Sequence, residues 1–309
     1  MEKNRTDNGL PKVSVIIPCY NSKKTIRGVL RGIMAQDYPS YEIIVVDDDS
    51  NDGTHKILEK TEGLKIIRNE DNHGSAYSRN IGIRESSGDI ILFIDSDCFI
   101  DDNELISKHV LAHRDRLAHI VGGGIQGIGN GLVAKADNYS HWFLNIPYSV
   151  NRVKTHLVTN NMSVKRNVFE KIGTFNITLR TGEDTDFCER ALKAGYRMAL
   201  KTDAVVKHYD RERFVDFIKC FYLAGIDRIP ARRLNRHRYW FLLPFDHLSS
   251  LIYSFPLAFL LSAQIVSAWY PYDKKVVFYF PLIFAGRLAM TFGIVRYYFR
   301  GLKTKTTQR

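Results

Sequence analysis

Hydrophobic and polar positions follow two alternating periods over residues 13–210. The short runs VSVIIP (13–18), EIIVVD (42–47), LKIIRN (64–69) and DIILFID (89–95) are rich in β-branched residues and read as buried strands. Between the first two, TIRGVLRGIMAQ (25–36) places Ile26, Val29, Leu30, Ile33 and Met34 at helical spacing. A second helix starts at Gly53-Thr54, and a third covers residues 76–84. This alternation predicts an α/β domain with a mainly parallel sheet over residues 1–210. Near its end, TGEDTDFCERALKAGYR (181–197) begins a helix at Glu183, with Phe187, Ala191 and Leu192 on one side and Gly195 as terminator.

Beyond residue 210 the pattern changes. Phe214, Phe217, Ile218, Phe221 and Tyr222 recur at helical spacing, which reads either as an amphipathic helix in a headgroup layer or as a core helix of the soluble domain. Residues 248–272 contain no charge, and about 20 apolar residues cross a bilayer as a helix. After the turn Asp273-Lys274-Lys275, residues 276–299 are long enough for a second span, interrupted by Arg287, which costs a few kcal/mol at mid-bilayer unless paired or snorkelled. The expected organisation is therefore a domain over 1–210, a basic interfacial segment over 211–247, and a membrane hairpin with a basic tail over 248–309. Trp269, Tyr270, Tyr272, Tyr297 and Tyr298 stand near the hairpin ends, where interface aromatics concentrate.

Charge sharpens this division. Residues 1–210 carry 28 Lys and Arg against 28 Asp and Glu, whereas the last 99 carry 16 against 5 and hold the whole net charge of +11. Next to long apolar runs, lipid phosphate is the better counter-ion than nucleic acid, and both basic flanks are expected on the cytoplasmic face of a cell membrane. The sequence MEKNRTDNGLPK lacks an apolar core, so no cleaved secretory signal is expected. Cys19, Cys98, Cys188 and Cys220 form no CxxC pair and signal neither a zinc site nor a disulfide framework.

The unusual chemistry lies at the strand ends. The second strand runs into Asp47-Asp48-Asp49 and the fourth into Asp95-Ser96-Asp97. Clustered carboxylates repel one another unless a cation or a donor-rich ligand sits among them, and ligands of open α/β sheets bind beyond the carboxyl ends of the strands. Mg²⁺ commonly takes one or two carboxylates and completes its shell with water and phosphate oxygens, a role that suits Asp95-Ser96-Asp97. Asp184 opens a helix, whose amino terminus favours the ionised form, and an ionised carboxylate can take a proton from a hydroxyl. The run GGGIQG (122–127) satisfies GxGxxG, but no helix pattern follows and the acid expected about 20 residues later is missing, so it reads as a strand and turn.

Taken in order, VSVIIPCYN, VVDDDSNDGT, NHGSAYSRNIGI, DSD, NNMSVKRNVFEKIGTFN and GEDTDFCERALKAGYR resemble the family 2 glycosyltransferases, inverting enzymes of the GT-A fold. The resemblance covers residues 13–210. It implies that Asp48 holds the nucleotide base through its ring N–H, that Pro18, Tyr20 and Asn21 line the base and ribose pocket, and that Arg79 lies near the donor pyrophosphate. Asp95 would contact the ribose or assist the metal, with Ser96 in the same donor-binding turn. Asp97 would bind Mg²⁺ or Mn²⁺, and His208 resembles a histidine that several relatives place near that metal. Asp184 matches the general base. Asp49 departs from the pattern, since glycine is frequent there, and its charge calls for a partner such as Arg79, His73 or solvent. The implied partners are a UDP- or GDP-linked sugar, a lipid-linked or glycan acceptor, and membrane lipids. A nucleotidyltransferase and a catalytically silent scaffold are the competing readings, the former weakened by the lack of a Gly-rich phosphate loop near the amino terminus.

Overall fold

A computed structural model of the chain describes residues 9–115, 118–150, 153–234 and 250–306; the first eight residues, the later part of the basic segment (235–249) and the last three residues of the tail lie outside the described residues. The chain divides into two compact units. The first comprises the described residues through Gln126 together with Asn145–Thr178 and Glu183–Tyr209, and the second comprises Gly127–Leu144, Leu179–Gly182 and the residues from Asp210 onward.

The first unit is built on a mixed sheet. Strands β1 (Val13–Cys19), β2 (Tyr41–Asp47), β3 (Leu64–Arg68) and β4 (Ile90–Ile94) pair in parallel in the order β3-β2-β1-β4. Helices α1 (Ile26–Met34), α2 (Thr54–Glu59) and α3 (Ser75–Glu85) connect them. All seven residues of β1 and all five of β4 are buried, as strands covered on both faces require. The register aligns Cys19 with Asp47 and Ile16 with Phe93, so the carboxyl ends of β2, β1 and β4 lie side by side. The order reverses between β1 and β4, which is where an open sheet leaves a crevice.

The other half of the sheet brings in antiparallel pairs. Strand β8 (Asn161–Lys165) pairs with β4, β6 (Ile120–Ile128) pairs with β8, and the long β9 (Met198–Tyr209) lies next to β6. Two short strands, β5 (Cys98–Phe99) and β7 (Val153–Lys154), pair with β9. The glycine run lies within β6. A Cβ on Gly123 would stand 2.0 Å from Asn161 Nδ2 and 2.3 Å from the Ala204 carbonyl, so glycine serves close packing against the neighbouring strands. Helices α4 (Leu105–Asp115), α6 (Arg166–Ile172) and α7 (Glu183–Lys193) complete the unit. Phe187 of α7 is fully buried, its ring 5.1 Å from that of Phe169 and 5.0 Å from that of Phe175, and this cluster fixes where the first turn of α7 stands.

The second unit is helical: α5 (Gly131–Trp142), α8 (Phe214–Asp227), α9 (Ile229–Leu234), α10 (Ser250–Trp269), a 3-10 turn (Lys274–Tyr279) and α11 (Phe280–Thr306). Phe217 and Phe221 of α8 are buried against α11, so the apolar face of α8 is a core face. A Cβ on Gly293 would lie 2.0 Å from the Tyr222 carbonyl, which shows how closely α8 and α11 approach. Arg287 points inward; it donates to the Ser140 carbonyl at 2.6 Å, and its guanidinium lies 5.1 Å from the Phe221 ring centre. Trp269 is likewise buried, donating to the Tyr139 carbonyl at 3.0 Å, while Tyr270 and Tyr272 are exposed. Lys274–Phe299 is long and apolar enough to cross a membrane, with mean hydropathy 1.6, a property that core helices of soluble proteins can share. The apolar part of α10, Phe255–Trp269, is shorter.

Candidate active site

Beyond the carboxyl ends of β1, β2 and β4, the first unit opens a cleft of about 310 Å³. Its walls include Pro18, Tyr20, Asp48, Arg79, Asp95, Ser96 and Asp97, together with Gly74, Ser75 and Ser78 at the start of α3. Seven of the residues singled out in the sequence thus share one cleft. Asn21 is not on its wall. It stands beside it with φ of +50°, accepting a hydrogen bond from the Asn51 N–H at 2.9 Å and donating its own N–H to Ser50 Oγ at 2.9 Å.

The three aspartates after β2 relieve their repulsion by fanning apart. Asp47 is fully buried, accepting from the Ser50 N–H at 3.0 Å and lying 2.9 Å from His55 Nδ1. Asp49 turns outward and pairs with Arg68 at 3.3 Å, so Arg68, not Arg79 or His73, is its cationic partner. Its φ of +62° lies in the left-handed region, which aspartate tolerates and glycine adopts freely. Asp48 faces the cleft. Asn69 Nδ2 and the His73 N–H donate to its Oδ1 at 2.7 and 3.1 Å, and the Gly74 N–H donates to its Oδ2 at 2.7 Å. An ionised carboxylate offers about four acceptor positions, of which described residues fill three.

Arg79 is buried at 3% exposure and bridges two elements. It donates to Asp95 Oδ1 and to Glu183 Oε1, each at 2.7 Å. Burial works against its charge, but Asp95 and Glu183 outweigh that cost and hold its proton more firmly than usual. Burial also pushes the Glu183 carboxyl above the ordinary range; Arg79 opposes this and the charge of Asp184 adds to it. Asp184, half-buried in the first turn of α7, accepts from the Thr185 N–H at 2.6 Å. It is not on the cleft wall and is linked to it through the Glu183–Arg79 bridge. Cys19 and Cys98 stay as thiols, because burial, reinforced by neighbouring aspartates, raises both well above the usual value.

The sheet supplies a possible cation site. Antiparallel pairing of β5 and β9 sets Cys98 opposite His208, which brings His208 Nε2 to 3.3 Å from Asp97 Oδ2. Two donors at about 2.1 Å from one ion and at right angles lie about 3 Å apart, so the pair fits two adjacent ligand positions. Among the described residues no cluster of three or more His, Cys, Asp or Glu could hold a metal, so further ligands would come from substrate and water. Ser96 Oγ lies 2.7 Å from Ser22 Oγ and ties this turn to the start of α1. Sequence reasoning missed Asn69, Ser78 and the pairing role of Glu183. Ser78 sits within the quoted NHGSAYSRNIGI stretch, but its hydrogen bond to Asn69 at 3.2 Å shows only in the fold.

Known proteins resemble this chain in sequence and in fold. The model of glycosyl transferase family 2 matches residues 14–173. The chain is 32% identical over 252 residues to glycosyltransferase AglE of Haloferax volcanii, covering 76% of this chain and 82% of AglE. It is 34% identical over 112 residues to the UDP-Glc:alpha-D-GlcNAc-diphosphoundecaprenol beta-1,3-glucosyltransferase WfgD of Escherichia coli, a stretch that spans 36% of this chain and 44% of WfgD. Among solved structures, the mannosyltransferase PcManGT of Pyrobaculum calidifontis in complex with GDP-Man and Mn²⁺ superposes with a TM-score of 0.61 at 19% identity, covering 92% of this chain and 87% of that one. At that identity the likeness concerns the fold.

Proposed function

The chain belongs to glycosyl transferase family 2, and we propose that it inverts the anomeric carbon as it passes a sugar from a UDP- or GDP-linked donor to a lipid-linked or polysaccharide acceptor at the cytoplasmic face of a membrane. The observation that carries this reading is the convergence of Asp48, Asp95 and Asp97 on one cleft at the switch point of the sheet. Asp48 has an acceptor position for the N–H of a uracil or guanine ring, beside Tyr20, which is 48% exposed and suited to stack on it. Asp95, held by Arg79, faces the ribose, and Ser96 steadies the turn that carries Asp97.

Asp97 and His208 would hold Mg²⁺ or Mn²⁺, which when bound supplies positive charge against the departing diphosphate without proton transfer. The buried Arg79 is held between two carboxylates, and its part is to fix Asp95 and the start of α7. Asp184 takes the proton of an acceptor hydroxyl. General-base assistance of this kind contributes about 10²- to 10⁴-fold. With a polyprenyl phosphate, already anionic, Asp184 would orient the acceptor instead. The apolar stretch Lys274–Phe299 and the exposed Phe255, Phe259, Leu260, Phe278 and Phe292 support a lipid environment for the second unit, and the name of WfgD points to a lipid diphosphate acceptor in that relative.

Release of UDP or GDP from a panel of nucleotide sugars, with and without Mn²⁺, tests the reading. Asp184→Asn should lower turnover by about 10²- to 10⁴-fold with a hydroxyl acceptor. Asp97→Ala should remove the dependence on the cation. Wild-type turnover in both variants would overturn the assignment of roles.

A further inference from the structure

Asp48 offers a ligand less than a free carboxylate would. Its Oδ1 accepts from Asn69 Nδ2 at 2.7 Å and from the His73 N–H at 3.1 Å, which uses both lone pairs of that oxygen. Its Oδ2 accepts from the Gly74 N–H at 2.7 Å and keeps one lone pair among the described residues. Asp48 lines the cleft yet is only 3% exposed, so it shows a ligand little beyond that single acceptor. Asn72, on the same wall, donates its Nδ2 to the Asp48 carbonyl at 3.3 Å, so the nitrogen of its amide, not the oxygen, is turned towards this end of the cleft. The surroundings of the one acceptor are therefore rich in donors.

Nucleobases differ in what they present to such a point. Uracil carries one ring N–H between two carbonyls, so a single acceptor satisfies its donor and the flanking oxygens face N–H groups. Guanine carries a ring N–H beside an amino group, two parallel donors that match both oxygens of a carboxylate at once. With Oδ1 already used, the amino group is left facing other donors. Cytosine brings a lone pair to the position of the uracil N–H and meets the carboxylate as acceptor against acceptor.

We infer that the donor is a uridine nucleotide, because Asn69 and the His73 N–H leave Asp48 a single acceptor that matches the one ring N–H of uracil. This rests on the donor-binding reading above and deepens it, since that reading accepts uracil and guanine alike. Asn69 is then a specificity-determining residue that never touches the base: it acts by occupying Asp48.

Calorimetric titration of the detergent-solubilised full chain with UDP, CDP, GDP and IDP, in the presence of Mn²⁺, tests it. IDP has the purine ring and ring N–H of GDP without the amino group, so it isolates the second donor. UDP should bind most tightly. An N–H buried without a partner weakens binding by about 5- to 150-fold, and GDP should fall below IDP by such a factor. Equal binding of GDP and IDP, or tighter binding of GDP than of UDP, would overturn the inference and leave the glycosyltransferase reading standing. Binding of none of the four would overturn the donor site itself. Asp48→Ala should close the gap between UDP and CDP, and an unchanged gap would remove Asp48 from base recognition. If that variant fails to fold, the wild-type panel decides alone. Thymine shares the edge of uracil, but dTDP lacks the ribose 2′-hydroxyl. Arg79 takes Oδ1 of Asp95 and leaves Oδ2 to accept from that hydroxyl, so dTDP should bind more weakly than UDP. The reverse order would assign the site to thymine and overturn the choice of uracil.

Discussion

Arg79 shows how far a single residue can be read before its surroundings are known. Its place in NHGSAYSRNIGI put it near the donor, and it does line the cleft, yet its two 2.7 Å bonds go to Asp95 and Glu183. Glu183 lies 104 positions away in sequence, a separation that only folding closes. The two ends of this bridge differ in energetic weight. Removing the cation strands two carboxylates, one of them buried, and breaking a buried pair in this way costs about 3–5 kcal/mol. Glu183 already pays for its burial, so neutralising it removes a desolvation cost along with an attraction. Arg79→Ala should therefore destabilise the chain by about 3–5 kcal/mol in chemical denaturation, while Glu183→Gln, which keeps a hydrogen bond to Arg79, should cost about 1 kcal/mol or less. Equal losses would contradict the asymmetry. Asp49 was legible in part: its extra charge calls for relief by Arg79, His73 or solvent, and the left-handed turn sends its side chain to Arg68.

Among the elements, the parallel half of the sheet was open to reading because its strands are buried on both faces and its helices are amphipathic. The half built on β8, β6 and β9 was not, since β6 owes its place to glycines that admit Asn161 and to a polar layer between α4 and β8. In that layer His109 sits 2.8 Å from both Ser163 Oγ and Asn161 Oδ1, and His113 lies 2.8 Å from Ser163 Oγ and 3.0 Å from the Ala118 carbonyl. Burial lowers His109 to about 4 and His113 to about 3, from 6.5. Both are neutral in the folded chain and take up protons on unfolding below their ordinary value. The stability they permit is thus complete above pH 6.5 and is lost as the pH falls from there towards 4. In the steepest part of that window two extra protons on the unfolded chain cost about 2.7 kcal/mol per pH unit. Urea denaturation from pH 7 to pH 4.5 should show this slope, and His113→Gln should remove about half of it. An unchanged slope in the variant would mean that other groups control acid unfolding.

For the whole molecule, the asymmetry of charge announced a second region with different surroundings, and the structure gives that region its own helical core. What the sequence could not show is which faces of the apolar helices are used internally. Arg287, the charge that broke the second apolar run, is turned onto Ser140 and Phe221, so it presents no charge at the outer surface of α11. Exposed instead are Phe292 on α11, Phe278 on the 3-10 turn before it, and Phe255, Phe259 and Leu260 on α10. Covering a large apolar side chain gains about 1.5–3 kcal/mol when it is fully removed from water, so five half-exposed ones supply on the order of 5–8 kcal/mol. Basic residues near an anionic surface add about 1 kcal/mol each, and salt screens that part but not the apolar part. Membranes bearing the chain should therefore keep it through a high-salt wash and an alkaline carbonate wash and release it only to detergent. If salt alone released it, the apolar helices would belong to a protein core that never enters the hydrocarbon, and attachment would rest on the basic segments.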